Sequence, residues 1–274
     1  MPAINLLKLD KQLNDLLWSF TDPPEFIIKL ENLLDQYSNT TYQPGADILK
    51  SVEKPEINVP LLVLNRMDLA LSQAVSEHPD SALDLCIIIW QSPNLELHTA
   101  AARILGQVPM SHSDMVLMML EKQASKTSSQ TSLNDLVTNA TVTIRSSDPE
   151  ILVEKSRKWC QSSENPIKML GLNMLSVLIS DISFENIPAV YSILEKMLND
   201  ELPIIYQDPF YQILEKLLKR SPIETSFFIR ECYEKKPSSK MISRLARKCL
   251  PDMQEPSKSI LTEDLRKNQF GKKP

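Results

Sequence analysis

The apolar residues of this chain recur at three- and four-residue intervals within short segments. The segment that follows Pro166 carries one such stripe, made of Ile167, Leu170, Gly171, Met174, Leu175 and Leu178. The same kind of spacing returns between Phe210 and Leu218 and between Leu97 and Val108. Stripes with this period are typical of amphipathic helices that bury one face. The pattern therefore predicts a chain of many short helices.

Prolines separate these segments at intervals of about one helix and one turn. The series runs Pro79, Pro93, Pro109, Pro149, Pro166, Pro188, Pro203, Pro222, Pro237 and Pro251. Proline fits the first turn of a helix and disfavours helix in the residue before it. Residues that can cap a helix precede several prolines, as in the pairs 22–23, 208–209 and 221–222. We therefore expect helix, turn and helix repeated along the chain, with helices that start at these pairs.

Aromatic residues at the ends of predicted helices mark an internal repeat. Trp90, Trp159 and Tyr233 are each followed by a short polar stretch and a further helix, at spacings of 69 and 74 residues. Each interval holds about four helices, so the predicted unit is a helical hairpin of about 35 to 37 residues.

The residues from Val59 to Leu250 resemble the HEAT-like, or armadillo-type, helical-repeat superfamily. The features in common are antiparallel helix pairs, short turns that bear Pro or Asn, and inner helices such as the alanine-rich 95–105. The resemblance implies an all-α fold, a right-handed α-solenoid of stacked antiparallel helix pairs. Solenoids of this kind recognise partners through an extended concave surface.

A partial resemblance points to the DNA alkylation repair branch, which contains alkylpurine glycosylases. A tryptophan, a short polar stretch and a helix with consecutive alanines follow one another from Trp90 onward. Members of that branch carry an aromatic residue and two arginines at the start of the inner helix, with a carboxylate and a tryptophan in a basic cleft. The corresponding helices here offer Leu95, His98 and Arg103, and then Ile167, Lys168 and Met169. No catalytic residue carries over.

The sequence divides into four predicted regions. Residues 1–37 form an N-terminal helical pair, with helices at about 4–20 and 24–37. Residues 38–58 are polar and form a linker or long loop. Residues 59–250 form the HEAT-like repeat array, and residues 251–274 form a charged tail that we expect to be disordered.

The motifs of common enzymes are missing from the sequence. The 4 glycines are isolated, so no glycine-rich phosphate loop is present. His78, His98 and His112 lie at least 14 residues apart, and no paired Cys or His motif with metal-ligand spacing occurs. We expect a non-enzymatic protein with no catalytic residue, no metal and no cofactor.

Cysteines and apolar runs bear on the compartment. The 4 cysteines, Cys86, Cys160, Cys232 and Cys249, are widely spaced, which favours reduced core thiols over disulfides. The longest apolar runs, such as 86–90, are far shorter than the roughly 20 residues of a bilayer span. We expect a cytoplasmic protein without membrane segments.

Charge is distributed unevenly along the chain, whose net charge is -5. Residues 1–213 hold 15 Lys and Arg against 27 Asp and Glu, whereas residues 214–274 hold 15 against 8. The candidate basic patch lies in this last part and consists of Lys235, Lys236, Lys240, Arg244, Arg247 and Lys248. Three interpretations stay open: a solvated face that complements the helix dipole, a site for an acidic protein partner, or a site for nucleic acid.

The densest aromatic cluster, Tyr206, Phe210 and Tyr211, is a candidate binding anchor, although aromatic residues in helical repeats more often pack between helices. The leading hypothesis is a HEAT-like scaffold that binds a protein partner, of unknown identity, through its concave surface. The alternative is a nucleic-acid-binding or divergent DNA alkylation repair-like protein that uses the basic C-terminal repeat. The net acidic body argues against the alternative.

Overall fold

The computed structural model describes residues 4–38, 59–127, 129–199 and 202–270 and contains no strand within them, which confirms the all-α prediction. The chain divides into two compact units, Met1–Ser147 and Asp148–Pro274. The α-helices of the first unit are α1 Leu6–Trp18, α2 Pro23–Tyr37, α3 Leu61–Glu77, α4 Pro79–Ile89, α5 Leu95–Leu105, α6 Ser113–Ala124, α7 Gln130–Ala140 and α8 Val142–Ser147. Those of the second unit are α9 Pro149–Cys160, α10 Asn165–Ser180, α11 Ile187–Asn199, α12 Ile204–Arg220, α13 Pro222–Lys235, α14 Lys240–Cys249 and α15 Ser257–Phe270.

The predicted start signals act at most helices. Proline occupies the first turn of α2, α4, α9, α10 and α13. Capping side chains accept a backbone N–H at other starts, among them Asn94 before α5 and Ser239 before α14.

The pair 208–209 is an exception, because α12 begins one turn earlier and Pro209 lies inside it. Tyr206 is buried one turn before Phe210, and burying both extends the helix backwards past the proline. The expected helix start at this pair is therefore wrong.

In the first unit, helices pack on their sequence neighbours and on the next helix but one. Helix α3 packs on α1, α4 and α5, and α5 packs on α4 and α7. Gly106, directly after α5, permits one of these approaches, because a Cβ there would collide with the carbonyl oxygen of Asn139 on α7. Thr143 also donates its backbone N–H to the carbonyl oxygen of Gly106 over 3.1 Å.

The second unit follows the same scheme. Helix α10 packs on α9 and α12, helix α14 packs on α12 and α13, and α13 packs on α15. Gly171 lets α10 approach α9, since a Cβ there would lie 2.8 Å from the Sγ and 2.9 Å from the backbone nitrogen of Cys160.

Side-chain hydrogen bonds in both units join residues about one helix pair apart. In the first unit, Thr99 bonds to Asp135 at a separation of 36 residues. In the second unit the separation is 34 residues from Tyr191 to Thr225 and 41 from Tyr206 to Asn165. A recurring contact at nearly constant separation is typical of stacked helix pairs.

The predicted regions outside the array agree with the structure at the N-terminus and differ from it at the C-terminus. Helices α1 and α2 lie within the predicted N-terminal pair. Most of the predicted linker, residues 39–58, lies outside the described residues. The structure differs from the expected disordered tail, because α15 is helical and buries Leu261 and Leu265 next to α13. Two leucines four residues apart form an apolar stripe within a charged sequence, and that stripe is enough to dock the helix.

Candidate interaction surface

Helix α14 separates its apolar and basic residues cleanly. Ile242, Leu245, Ala246 and Cys249 are buried. Lys240, Arg244, Arg247 and Lys248 are exposed along the other side. The hydroxyl of Ser239 accepts the backbone N–H of Ile242 over 3.3 Å and fixes the start of the helix. The predicted cationic stripe is therefore present at the surface of the second unit.

Three members of this stripe have no partner among the described residues. Lys240, Arg244 and Arg247 make no side-chain hydrogen bond, ion pair or ring contact with any other described residue. The first turn of α14 also carries no acidic residue. From Lys240 to Arg247 the stripe extends about 10 Å along the helix axis. We call these three residues the free cationic stripe.

The other three residues of the predicted patch are engaged. Lys235 pairs with Glu195 at 2.8 Å and Glu231 at 3.0 Å, and the hydrogen bond to Glu195 is the largest cause that raises the pKa of Lys235 above its ordinary value. Lys236 donates its Nζ to the carbonyl oxygen of Asn199, 2.7 Å away at the end of α11. The candidate basic patch thus splits into a structural half and a free half.

Lys248 links α14 to α12. Its Nζ lies 3.2 Å from a carboxylate oxygen of Asp208 and 3.8 Å from the centroid of the Tyr211 ring. Cation–π contact of this kind adds to the attraction of the ion pair. Asp208 itself is 85% exposed, so the pair is open to solvent.

The predicted aromatic anchor is wrong for two of its three residues. Tyr206 and Phe210 are buried, and the Tyr206 hydroxyl donates to the Oδ1 of Asn165 on α10 at 2.6 Å. Burial also raises the pKa of Tyr206. Both residues belong to the core stripe of α12 that continues through Ile213 and Leu217, so they pack between helices. Tyr211 alone is partly exposed, next to Lys248.

A polar pocket of about 560 Å³ lies beyond the end of α14. It is lined by Glu215, Leu218, Lys219, Pro251, Asp252, Met253, Gln254, Glu255 and Lys258. Lys219 pairs with Glu215 at 2.7 Å, and this bond lowers the pKa of Glu215. Lys258 donates to the carbonyl oxygen of Pro251 at 2.9 Å. Both pocket lysines are therefore already engaged by the protein.

A second pocket, of about 270 Å³, is lined by Cys160, Gln161, Lys196, Met197 and Asn199. Burial raises the pKa of the Cys160 thiol to about 12. A thiol with this pKa is protonated near neutral pH and is a poor nucleophile. Burial likewise raises the pKa of Cys232 and of Cys249 to about 12. All four cysteines are buried and free, in agreement with the expected core thiols.

The sequence missed one constellation that the fold creates in the first unit. A hydrogen bond of 2.9 Å joins the Oγ of Ser111 to the Nδ1 of His112, and the Nε2 of His112 lies 3.5 Å from Asp80. Asp80 comes from α4 and precedes His112 by 32 residues, so no local motif reveals the group. Its side chain is 90% exposed, so water screens the carboxylate that would orient the imidazole. Among the described residues no cluster of His, Cys, Asp and Glu suits a metal ion.

The helix that resembles the alkylation repair branch uses its polar residues internally. Arg103 donates its Nε to Asp68 at 3.1 Å and an Nη to Asn65 at 2.7 Å, and its side chain is only 12% exposed. The Nε2 of His98 lies 2.7 Å from the carbonyl oxygen of Ser92. Both side chains therefore hold α5 in place.

Comparison with family models, with curated proteins and with solved structures finds no match to this chain. Among the described helices, none combines the length and the apolar character that crossing a bilayer requires. The fold and the site define an all-helical protein with a free cationic stripe on α14.

Proposed function

We propose that this chain is a non-enzymatic, HEAT-like scaffold that binds a protein partner. In this proposal the helices of each unit stack as antiparallel pairs of a right-handed α-solenoid and present a concave surface. Hydrogen bonds at separations of 34 to 41 residues support the stacking. So does the packing of most helices on the next but one. The cytoplasm is the proposed compartment, on the strength of the free, buried cysteines.

The observation that carries the binding role is the free cationic stripe. Elsewhere in the second unit, cations such as Lys216, Arg220 and Lys236 are tied to carbonyl or hydroxyl oxygens of the protein. Lys240, Arg244 and Arg247 make no side-chain hydrogen bond, ion pair or ring contact within the described residues. Unpaired cations aligned on one helix steer and hold a partner of opposite charge.

Affinity capture from the source organism tests the proposal. The purified full chain is compared with Lys240→Glu/Arg244→Glu/Arg247→Glu, in which the free cationic stripe is reversed. A control with the same change in net charge is Lys219→Glu/Arg266→Glu/Lys267→Glu, whose three cations are exposed elsewhere in the second unit. We expect protein partners that wild type and control retain and that the stripe variant loses.

Two results would contradict the proposal. If all three chains retained the same proteins, the free cationic stripe would not be the surface that binds them. Tight, salt-sensitive binding of a labelled DNA duplex would instead favour the alternative, a nucleic-acid-binding or DNA alkylation repair-like function.

A further inference from the structure

An exposed aliphatic side chain lies on the helix next to the free cationic stripe. Ile204, at the start of α12, is 81% exposed, so most of its surface lies outside the core of the second unit. Its position relative to α14 follows from two sets of contacts.

Helices α12 and α14 run in the same direction. Asp208, near the start of α12, pairs with Lys248 on α14. Glu215 and Lys219, near the end of α12, line one pocket with Pro251 and Asp252, which follow α14. Residues near the start of α12 therefore lie beside α14, and residues near the end of α12 lie beside the segment that follows α14.

This register puts Ile204 on the side of α12 that faces α14. Ile204 lies four residues before Asp208, on the same side of α12, and Arg244 lies four residues before Lys248, on the same side of α14. Because Asp208 and Lys248 touch, we expect the turns before them to lie side by side as well. The surface thus combines exposed Ile204 with three cations that have no partner among the described residues.

We propose that this surface binds an acidic segment of a partner protein, with carboxylates spaced over about 10 Å and a large apolar side chain beside them. Arginine forks bind carboxylates through paired hydrogen bonds, and Ile204 covers the apolar side chain. The inference rests on the proposed scaffold function and specifies the chemistry of its partner.

Charge on the same face favours a protein segment over nucleic acid. Asp208 is 85% exposed beside the stripe, and Glu215 lies one turn beyond Tyr211 on α12. A duplex presents phosphates at regular, close spacing, so a duplex that covers the stripe also meets these carboxylates. A peptide can place its carboxylates on the arginines alone. Exposed Ile204 also suits an aliphatic side chain better than a phosphate backbone.

The test is a fluorescence anisotropy titration of the full chain with labelled twelve-residue peptides. The probe has three glutamates spaced over about 10 Å and two leucines beside them, and its other residues are uncharged. One matched peptide replaces the leucines by serine, a second replaces the glutamates by glutamine, and a DNA duplex completes the set. We expect the probe to bind, more weakly as salt rises, and more tightly than each of the other three.

Variants locate the binding. Arg244→Glu/Arg247→Glu should weaken probe binding by at least about tenfold. Ile204→Ser should weaken it several-fold and abolish the preference for leucine over serine. The control Arg266→Glu/Lys267→Glu should bind like wild type. All exchanged residues are exposed, so circular dichroism should show the same helical content in each variant.

Equal affinity of the probe for wild type and for the stripe variant would overturn the inference, as would tighter binding of the duplex than of the probe. Failure of the inference can be told apart from failure of the scaffold function. If the probe does not bind while affinity capture still depends on the stripe, the scaffold stands and the acidic class of partner falls. If neither experiment depends on the stripe, both fall.

Discussion

Helices α12 and α14 of the second unit are both rich in cations, and they use them in opposite ways. Arg220, at the end of α12, donates to the carbonyl oxygens of Ile179, Asp181, Ile182 and Phe184 and so fastens the turn that follows α10. Arg244 and Arg247 on α14 donate to no described residue. The contrast teaches that a basic helix in a sequence is not by itself a binding site. The distinction depends on whether acceptors lie within reach.

Among the variants that test this difference between α12 and α14, we expect Arg220→Ala to lower the free energy of unfolding the most. Arg220→Ala removes one cation from four carbonyl oxygens and leaves the turn after α10 unfastened. We expect the free energy of unfolding to fall by about 2 kcal/mol, measured by urea denaturation. Arg220→Lys keeps the charge but not the fork, so it should recover only part of the loss. A loss no greater than that of Arg247→Ala would contradict the comparison.

A smaller effect is expected at Lys216. Its Nζ donates to the hydroxyl and carbonyl oxygens of Ser176 at 2.7 and 3.2 Å and to the hydroxyl oxygen of Ser180 at 2.9 Å. Lys216→Met removes all three bonds while it keeps the aliphatic stem. We expect a loss of about 1 kcal/mol in the free energy of unfolding. Ser180→Ala, which removes one acceptor, is the matched control and should cost less than the lysine variant.

The same lysine predicts a pH dependence. Burial lowers the pKa of Lys216 below its ordinary value of 10.5. Above the lowered pKa the folded chain releases a proton that the unfolded chain still holds, so stability rises with pH until 10.5 is reached. We expect the free energy of unfolding of wild type, relative to Lys216→Met, to increase as pH rises through this window. A relative stability that falls over this window would refute the assignment.

The smallest effect on stability is expected on α14, at the two arginines of the free cationic stripe. Arg244→Ala/Arg247→Ala should change the free energy of unfolding by less than about 0.5 kcal/mol, because neither side chain contacts another described residue through a polar group. Urea denaturation next to Arg220→Ala provides the measurement. A large loss in the double variant would show that the stripe is structural, and the binding role would then lose its main support.

Local signals predict most of the helices. A proline in the first turn and a capping aspartate mark the starts of α2 and α9, and a proline alone marks that of α13, because both signals act within a single turn. They fail at Pro209, where the burial of Tyr206 against another helix extends α12 by a turn. Burial of this kind depends on residues about 40 positions away, and a local pattern does not contain it.

The candidate surface could be predicted only in outline. Helical spacing reveals the cationic stripe, since it depends on residues of one helix. Which cations are free depends on acceptors from other helices, such as the carbonyl oxygen of Asn199 for Lys236 and the carboxylate of Asp208 for Lys248. The neighbouring Ile204 becomes visible only once the register of α12 and α14 is known.

Helix α15 has a consequence for how the second unit meets other molecules. It lays Leu261 and Leu265 next to α13, and Gln254, just before it, donates its backbone N–H to the Oγ of Ser226 over 2.8 Å. A chain shortened to residue 250 would uncover the side of α13 on which Leu261 and Leu265 lie. We expect copies of such a truncated chain to associate through this exposed apolar surface, and their aggregation could be mistaken for partner binding. Binding by the second unit should therefore be measured on a chain that retains α15, because this helix covers part of α13.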